Sequence, residues 1–154
     1  MQFTNLLSAE AVKVSGSVSS KKRLFQDLGD LAMSAYGIDS SKATEALRAR
    51  EALGPTGVGR GVALPHARLS GLDSVVGTFI LLEKPVNFDS LDKEPVDIAF
   101  ALFAPEDAGV EHLKALALVS RTLREPSICA KLRANPVANT LHTILSEAQS
   151  TKAA

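Results

Sequence analysis

Apolar residues recur every three to four positions in the first and last thirds of the chain, which predicts amphipathic helices. The first is clearest, because Leu24, Leu28 and Leu31 follow the candidate N-caps Ser19 and Ser20, and Gly37 supplies a stop. Residues 1–17 are weakly patterned, with one short element expected in the region 9–14. The predicted helices cover about 20–37, 41–53, 111–123, 126–134 and 137–147.

Three apolar runs without helical period occupy the middle of the chain and predict strands. Val62–Leu64 is brief and stops at Pro65, whereas Val75–Leu82 and Val96–Phe103 are nearly all apolar, as in strands covered on both faces. Pro85 is expected to end the second run. Helices on both sides of strands predict one α/β domain over residues 1–154, with a polar tail from about 148. The pattern leaves the strand order open.

Composition excludes several classes of function. The chain has 154 residues and zero formal net charge, which argues against disorder and against general electrostatic binding of nucleic acid. No apolar run approaches the roughly 20 residues of a transmembrane helix, and no secretory signal is expected. The single cysteine, Cys129, is expected to be a packed thiol, which suits a reducing cytoplasm. We therefore expect a cytoplasmic protein that is not inserted in a membrane.

A glycine-rich stretch, GPTGVGRGVALPHARL at 54–69, is the most distinctive part of the sequence. It is not a P-loop, because Arg60 and Gly61 follow Gly59 where lysine and a hydroxyl residue are needed. It is not a dinucleotide fingerprint either, because Val62 takes the place of the last glycine and the stretch leads from a helix into a strand. The proline before His66 instead predicts that this histidine lies where a strand runs out into a loop.

Two further side chains are predicted to face inward. Arg50 lies beside the apolar stripe of the second helix, and His112 shares a stripe with Leu116, Val119 and Leu123 in the first turn of its own helix. Each has a structural alternative. The arginine could extend outward or pair with a carboxylate such as that of Glu51, and the histidine could be a hydrogen-bonded core residue. His142 is expected to be a surface or packing residue.

The chemistry of these residues favours phosphoryl transfer. No pair of histidines has H-x-x-x-H spacing, although a long-range three-histidine metal site stays open, and no G-x-S-x-G nucleophile elbow is present. A neutral imidazole is nucleophilic near pH 7, and the planar fork of arginine suits phosphoryl oxygens. The residues alone therefore support the hypothesis that His66 accepts a phosphoryl group.

A family resemblance rests on four runs: RE at 50–51, GPTGVG at 54–59, GVALPH at 61–66 and EHL at 111–113. Together they resemble the fructose/mannitol-type enzyme IIA proteins of the bacterial phosphoenolpyruvate-dependent phosphotransferase system. Within that family, REALGPTGVG at 50–59 and a free-standing domain look most like the nitrogen-regulatory branch. One departure is Ala67, where many relatives have glycine directly after the active histidine.

The resemblance implies a mixed sheet of roughly five strands with helices on both faces. It also implies that His66 accepts phosphoryl from a carrier similar to HPr and that Arg50 and His112 hold the phosphoryl oxygens. Thr56 and nearby backbone N–H groups would complete the oxyanion site. The family implies neither a metal nor an organic cofactor.

Three roles remain open at this stage. The nitrogen-regulatory resemblance implies a regulatory phosphocarrier whose phosphorylation state controls targets such as potassium transport, sensor kinases or metabolic regulators. The alternative is a sugar-specific enzyme IIA that passes phosphoryl to an enzyme IIB, and the absence of an attached IIB or IIC domain favours the first. A third role is an interaction module that has lost phosphorylation. The resemblance implies a phosphotransferase component with a phosphohistidine intermediate, regulatory rather than metabolic.

Overall fold

The structure is a computed structural model that describes the backbone of residues 2–153 and the side chains of residues 2–148. It is an α/β fold with a mixed sheet between two layers of helices. The helices are α1 Phe3–Leu6, α2 Lys21–Tyr36, α3 Ser40–Glu51, α4 Val110–Leu123, α5 Pro126–Ala134 and α6 Ala138–Ala153. The strands are β1 Val12–Ser15, β2 Gly57–Gly59, β3 Val62–Ala63, β4 His66–Leu69, β5 Val76–Val86 and β6 Val96–Pro105. Within residues 2–153, no helix combines the length and apolar character needed to cross a bilayer.

The predicted fold class is confirmed, and the strand count has a simple explanation. Six strands form five rows in the order β1, β5, β6, β3, β2, because β3 and β4 both run parallel to β6 in one register. Val62 is opposite Ile98 and His66 is opposite Leu102, so β3 and β4 are one strand interrupted at residues 64–65. The pair β5–β6 is antiparallel and the pair β1–β5 is parallel, which makes the sheet mixed.

Three details of the predicted elements differ from the structure. Pro85 does not end its strand: β5 continues to Val86, with a register shift between Leu81 and Val86 that accommodates the proline. His66 does not lie in a loop, since it is the first residue of β4. The predicted tail continues helix α6 through Ala153, and its side chains from 149 onward lie outside the described residues.

The sheet separates two hydrophobic cores, and β6 contributes to both. Its alternate residues Ile98, Phe100 and Leu102 pack with α1, α4, α5 and α6, whereas Ala101 and Phe103 pack with α2 and α3. All of these side chains are inaccessible to solvent, which explains why the strand is a continuous apolar run. The register places His66 on the α4 side of the sheet, because its partner on β6 is Leu102.

The glycine-rich stretch forms a tight hairpin from β2 into β3. Gly59, Arg60 and Gly61 have consecutive positive φ angles of 96, 56 and 83°, a conformation for which glycine is favoured. The backbone N–H of Arg60 donates to Asp92, and its carbonyl accepts a hydrogen bond from Arg133, both at 2.9 Å. The hairpin pairs β2 with β3 only, so among the described strands β4 pairs with β6 alone and its other edge is open. His66 therefore begins an unpaired sheet edge.

Candidate functional site

His66 is half-buried and oriented by the strand interruption that precedes it. Its Nδ1 lies 2.9 Å from the carbonyl oxygen of Leu64. A carbonyl oxygen only accepts hydrogen bonds, so Nδ1 carries the hydrogen in this contact. In the neutral ring, Nε2 then keeps the free electron pair. Because Pro65 cannot donate to the sheet, the strand is interrupted before His66, and the ring is fixed at the start of β4 with Nε2 as its available nucleophile.

A cavity of about 480 Å³ lies at this edge of the sheet and brings three of the four predicted site residues together. Arg50 enters from the end of α3, His66 from β4 and His112 from the first turn of α4. The remaining lining residues are Ala46, Ala49, Leu53, Ala67 and Arg68. Two helices from opposite faces of the sheet thus meet a strand edge around one small volume.

His112 is the most constrained member of the site. Its side chain is only 7% exposed, and its ring centroid lies 5.7 Å from that of His66 at an interplanar angle of 69°. Its Nε2 is buried and makes no hydrogen bond to any described residue. Such an unpaired group costs about 1–3 kcal/mol. An apolar side chain of similar volume would avoid this cost. The unpaired Nε2 therefore points to a polar ligand in the cavity.

The electrostatic surroundings keep His112 neutral. Its pKa is lowered from the ordinary value of 6.5, first by burial and then by the nearby charges of His66 and Arg68. A neutral imidazole retains one N–H, so it can donate a hydrogen bond to an anion without carrying a charge of its own. The helix α4 adds its positive dipole end at the same place.

Arg50 is partly buried at the C-terminal end of α3 and is held by its own loop. Its Nη1 donates to the carbonyl oxygen of Gly54 at 3.0 Å, a contact that closes the turn after the helix. The alternative pairing with Glu51 is not formed, because that carboxylate bonds other groups. The guanidinium has five N–H donors, so one contact leaves capacity for an anion in the cavity.

Thr56 does not line the cavity and is already bonded to Glu51. Its hydroxyl donates to Oε2 of Glu51 at 2.5 Å, and its backbone N–H donates to Oε1 at 3.0 Å. The same carboxylate pairs with Nζ of Lys21, on α2, at 2.9 Å. We call Lys21, Glu51 and Thr56 the Glu51 cluster. It joins α2, α3 and the glycine-rich stretch directly behind Arg50.

One charged residue of the cavity was not predicted from the sequence. Arg68 is exposed on β4, two positions after His66, and its Nη1 donates to the carbonyl oxygen of Glu106 at 3.3 Å. Alternation along a strand places residues i and i+2 on one face, so a prediction of β4 would have identified it. The four-residue strand was hidden because the sequence at 66–69 contains two charged or titratable side chains and follows a proline.

The remaining candidates have structural roles. The ring of His142 donates from Nε2 to the carbonyl oxygen of Leu7 at 2.8 Å, which joins α6 to the N-terminal segment. Cys129 is confirmed as a packed thiol: Sγ donates to the carbonyl oxygen of Leu123, and burial raises its pKa. Among the described residues, no three His, Cys, Asp or Glu side chains are grouped as a metal ion would require.

Comparisons with known proteins give the family. Residues 5–148 match the model of the family described as "Phosphoenolpyruvate-dependent sugar phosphotransferase system, EIIA 2". A nitrogen regulatory protein of Bradyrhizobium diazoefficiens is 43% identical over 145 residues, which cover 94% of this chain and 95% of that protein. One from Klebsiella oxytoca is 39% identical over 152 residues, with 97% and 93% covered.

A solved structure agrees with these sequence matches. The nitrogen regulatory protein IIA-Ntr from Neisseria meningitidis superposes with a TM-score of 0.84 at 37% identity, covering 92% of this chain and 97% of that one. The family resemblance predicted from the four sequence runs is confirmed, including its relation to nitrogen regulatory proteins. The chain therefore belongs to the type 2 EIIA family of the phosphoenolpyruvate-dependent sugar phosphotransferase system.

Proposed function

We propose that this chain is a regulatory phosphocarrier of a nitrogen phosphotransferase system. Nε2 of His66 accepts a phosphoryl group from an HPr-like carrier, and its phosphorylation state controls binding to regulatory targets. The observation that supports this best is the buried, unpartnered Nε2 of His112, in a cavity shared with His66 and Arg50. An anion bound at His66 would give that nitrogen an acceptor.

The transfer step uses the electron pair on Nε2 of His66. This pair attacks the phosphorus of the carrier's phosphohistidine, and the N–P bond of the carrier breaks with its electrons returning to the carrier's ring. The Nδ1–H of His66 stays hydrogen-bonded to the carbonyl of Leu64. Because the attacking Nε2 carries no proton, the step needs no base. Catalysis of such a transfer is mainly positioning and stabilisation of charge on the phosphoryl oxygens.

Each neighbour has a part in that stabilisation. A phosphoryl group brings about −2 charges. His112 donates its Nε2–H to one oxygen, and Arg50 exchanges its contact with the carbonyl of Gly54 for a phosphoryl oxygen. We assign Thr56 to a supporting role, because its hydroxyl and N–H already bond Glu51. The Glu51 cluster then fixes the loop from which Arg50 and the hairpin are positioned.

The regulatory role is proposed over the sugar-specific one because the relatives described above are nitrogen regulatory proteins. Targets of the type expected from the resemblance, such as potassium transport systems and sensor kinases, would then distinguish the two states of His66. A group with about −2 charges, added at a partly exposed surface cavity, changes which protein surfaces can dock there. The sugar-specific alternative predicts instead that the phosphoryl group passes rapidly to an enzyme IIB.

Intact-mass measurement tests the acceptor step. The protein is incubated with phosphoenolpyruvate, enzyme I and an HPr-like carrier, and we expect a gain of about 80 Da, one phosphoryl group. His66→Ala should show no gain, whereas the matched control His142→Gln should be labelled like wild type. ¹⁵N NMR of the labelled ring should place the phosphoryl on Nε2. Absence of labelling in wild type would exclude both carrier roles, and rapid loss of label to a fructose- or mannitol-type enzyme IIB would favour sugar transport.

A further inference from the structure

We infer that Arg68 is a further catalytic residue of this site, which contacts the phosphoryl oxygens during transfer from the carrier to His66. This inference rests on the proposed function. Arg68 lies on the open edge of the sheet. Arg68 lies on β4 beside His66, has unused N–H donors and lines the cavity with the other two donors.

Arg68 shares one face of β4 with His66. His66 and Arg68 are separated by one residue on β4, and strand alternation places them on the same face. Their partners on β6 are Leu102 and Ala104, both of which belong to the core on the α4 side. Ala67, between them, packs into the opposite core. Arg68 is therefore directed toward the same side as His112, and it lines the cavity with both histidines.

The guanidinium of Arg68 has hydrogen-bonding capacity left for a ligand. The described contacts of Arg68 include one hydrogen bond, from Nη1 to the carbonyl oxygen of Glu106 at 3.3 Å. None of the ion pairs among residues 2–148 includes it. This contact joins Arg68 to the loop before α4, the helix that carries His112 in its first turn. Most of its five N–H donors are left for a ligand, and their planar fork matches phosphoryl oxygens.

Three donors around the cavity match the three oxygens of a transferring phosphoryl group. The transferring phosphoryl has three equatorial oxygens on which charge is spread, with the attacking and leaving nitrogens above and below. Arg50 approaches from α3, His112 from α4 and Arg68 from β4, so three elements surround one volume. The charge of Arg68 already acts on His112, since it contributes to the lowered pKa of that ring. Each donor can thus serve a different oxygen.

Arg68 differs from Arg50 in exposure, and this defines its role. Arg50 is partly buried and bonded to the turn after α3, whereas Arg68 is exposed at the edge of β4. An exposed cation that lines the cavity can contact the phosphoryl while it is still shared between the carrier and His66. We therefore expect Arg68 to act mainly on the rate of the transfer step at saturating carrier, rather than on carrier affinity.

The experiment measures kcat and KM for transfer from the phosphorylated carrier. Arg68→Gln keeps a polar side chain but removes the guanidinium and its charge. We expect kcat to fall by at least about tenfold, less than the roughly hundredfold or more for a donor in an enclosed oxyanion hole, because Arg68 is exposed. Arg68→Lys should recover part of this loss, because lysine supplies the charge without the fork. The matched control is Arg48→Gln, an exposed arginine of α3 that does not line the cavity.

The outcomes separate this inference from the proposed function. A wild-type protein that gains no phosphoryl would refute the proposed function itself. With wild type labelled, kcat values for Arg68→Gln and Arg48→Gln within twofold of each other would overturn the role of Arg68. A rise in KM with unchanged kcat would also overturn it, because the residue would then recruit the carrier without acting on the transfer step. Equal thermal midpoints for the two variants would show that folding is not the cause.

Discussion

The Glu51 cluster and the His66 cavity lie on either side of the same turn. The buried polar groups are paired in the cluster, whereas one is unpaired in the cavity. In the cluster, the carboxylate of Glu51 has Lys21 and both donors of Thr56 as partners. In the cavity, Nε2 of His112 is equally buried and has no partner among the described residues. A fully satisfied network fixes a loop, whereas an unsatisfied donor is a cost that a ligand can remove.

The largest effect is expected where the satisfied network is broken. Glu51→Ala removes the acceptor of two Thr56 donors and leaves Lys21 without its ion pair beside the ring of Phe88. We expect a loss of about 3 kcal/mol in the free energy of unfolding, the lower end for a buried pair that loses one partner, because Lys21 is partly exposed. Urea unfolding monitored by circular dichroism measures this loss.

A milder variant of the same cluster provides the control. Thr56→Val removes only the hydroxyl and keeps the backbone N–H bond to Glu51, so we expect a loss of about 1 kcal/mol. Equal losses for Thr56→Val and Glu51→Ala would mean that the carboxylate adds nothing beyond one hydrogen bond. The cluster would then not be the support of the turn that the structure indicates.

The opposite response is expected from the cavity. His112→Leu replaces an unpartnered ring with an apolar side chain of similar volume, so stability should not fall and should rise by up to about 1–3 kcal/mol, the cost of the unpaired Nε2. Phosphoryl transfer to His66 should fall about 30-fold, or about 2 kcal/mol, the range for loss of one hydrogen bond to a charged group. Stopped-flow transfer assays and urea unfolding of the same preparation check both parts. A large loss of stability together with unchanged transfer would identify His112 as an ordinary core residue.

The helices and the central strands could be predicted from the sequence because their signals are local. Periodic leucines specify α2, and unbroken apolar runs specify β5 and β6, which are buried on both faces. The proline at 126 also marks the start of α5 correctly. These features depend on residues within one element and need no knowledge of its neighbours.

The edge strand β4 could not be predicted because it is stabilised by pairing with a distant part of the chain, strand β6. β4 has only four residues and exists because β6 lies beside it in register with β3. Arg68 was missed for the same reason. Local spacing suggests Arg50 as a partner for Glu51, but the carboxylate bonds Lys21, thirty positions earlier on α2. Spacing placed Arg50 and His112 on inward faces, but their convergence on His66 required the fold.

The smallest expected effect is a difference in how stability depends on pH. Burial and the charges of His66 and Arg68 on β4 hold the pKa of folded His112 below 6.5, the ordinary value that it regains on unfolding. Below about pH 6.5 the unfolded chain therefore binds a proton that the folded chain excludes, and stability falls as the pH falls toward the folded pKa. Above that range the contribution is constant.

His112→Leu isolates the contribution of His112 to the pH dependence of stability, because it removes one titrating group and leaves His66, Arg50 and Arg68 in place. Between pH 7.5 and 5.5, wild type should lose more unfolding free energy than the variant, and parallel pH profiles would show that His112 is not held neutral. Phosphorylation of His66 should reverse the sign, since about −2 charges beside the ring raise its pKa. NMR titration of the His112 ring in both states measures that reversal directly, and it would show that the unsatisfied donor of the cavity acquires its partner when the phosphoryl group arrives.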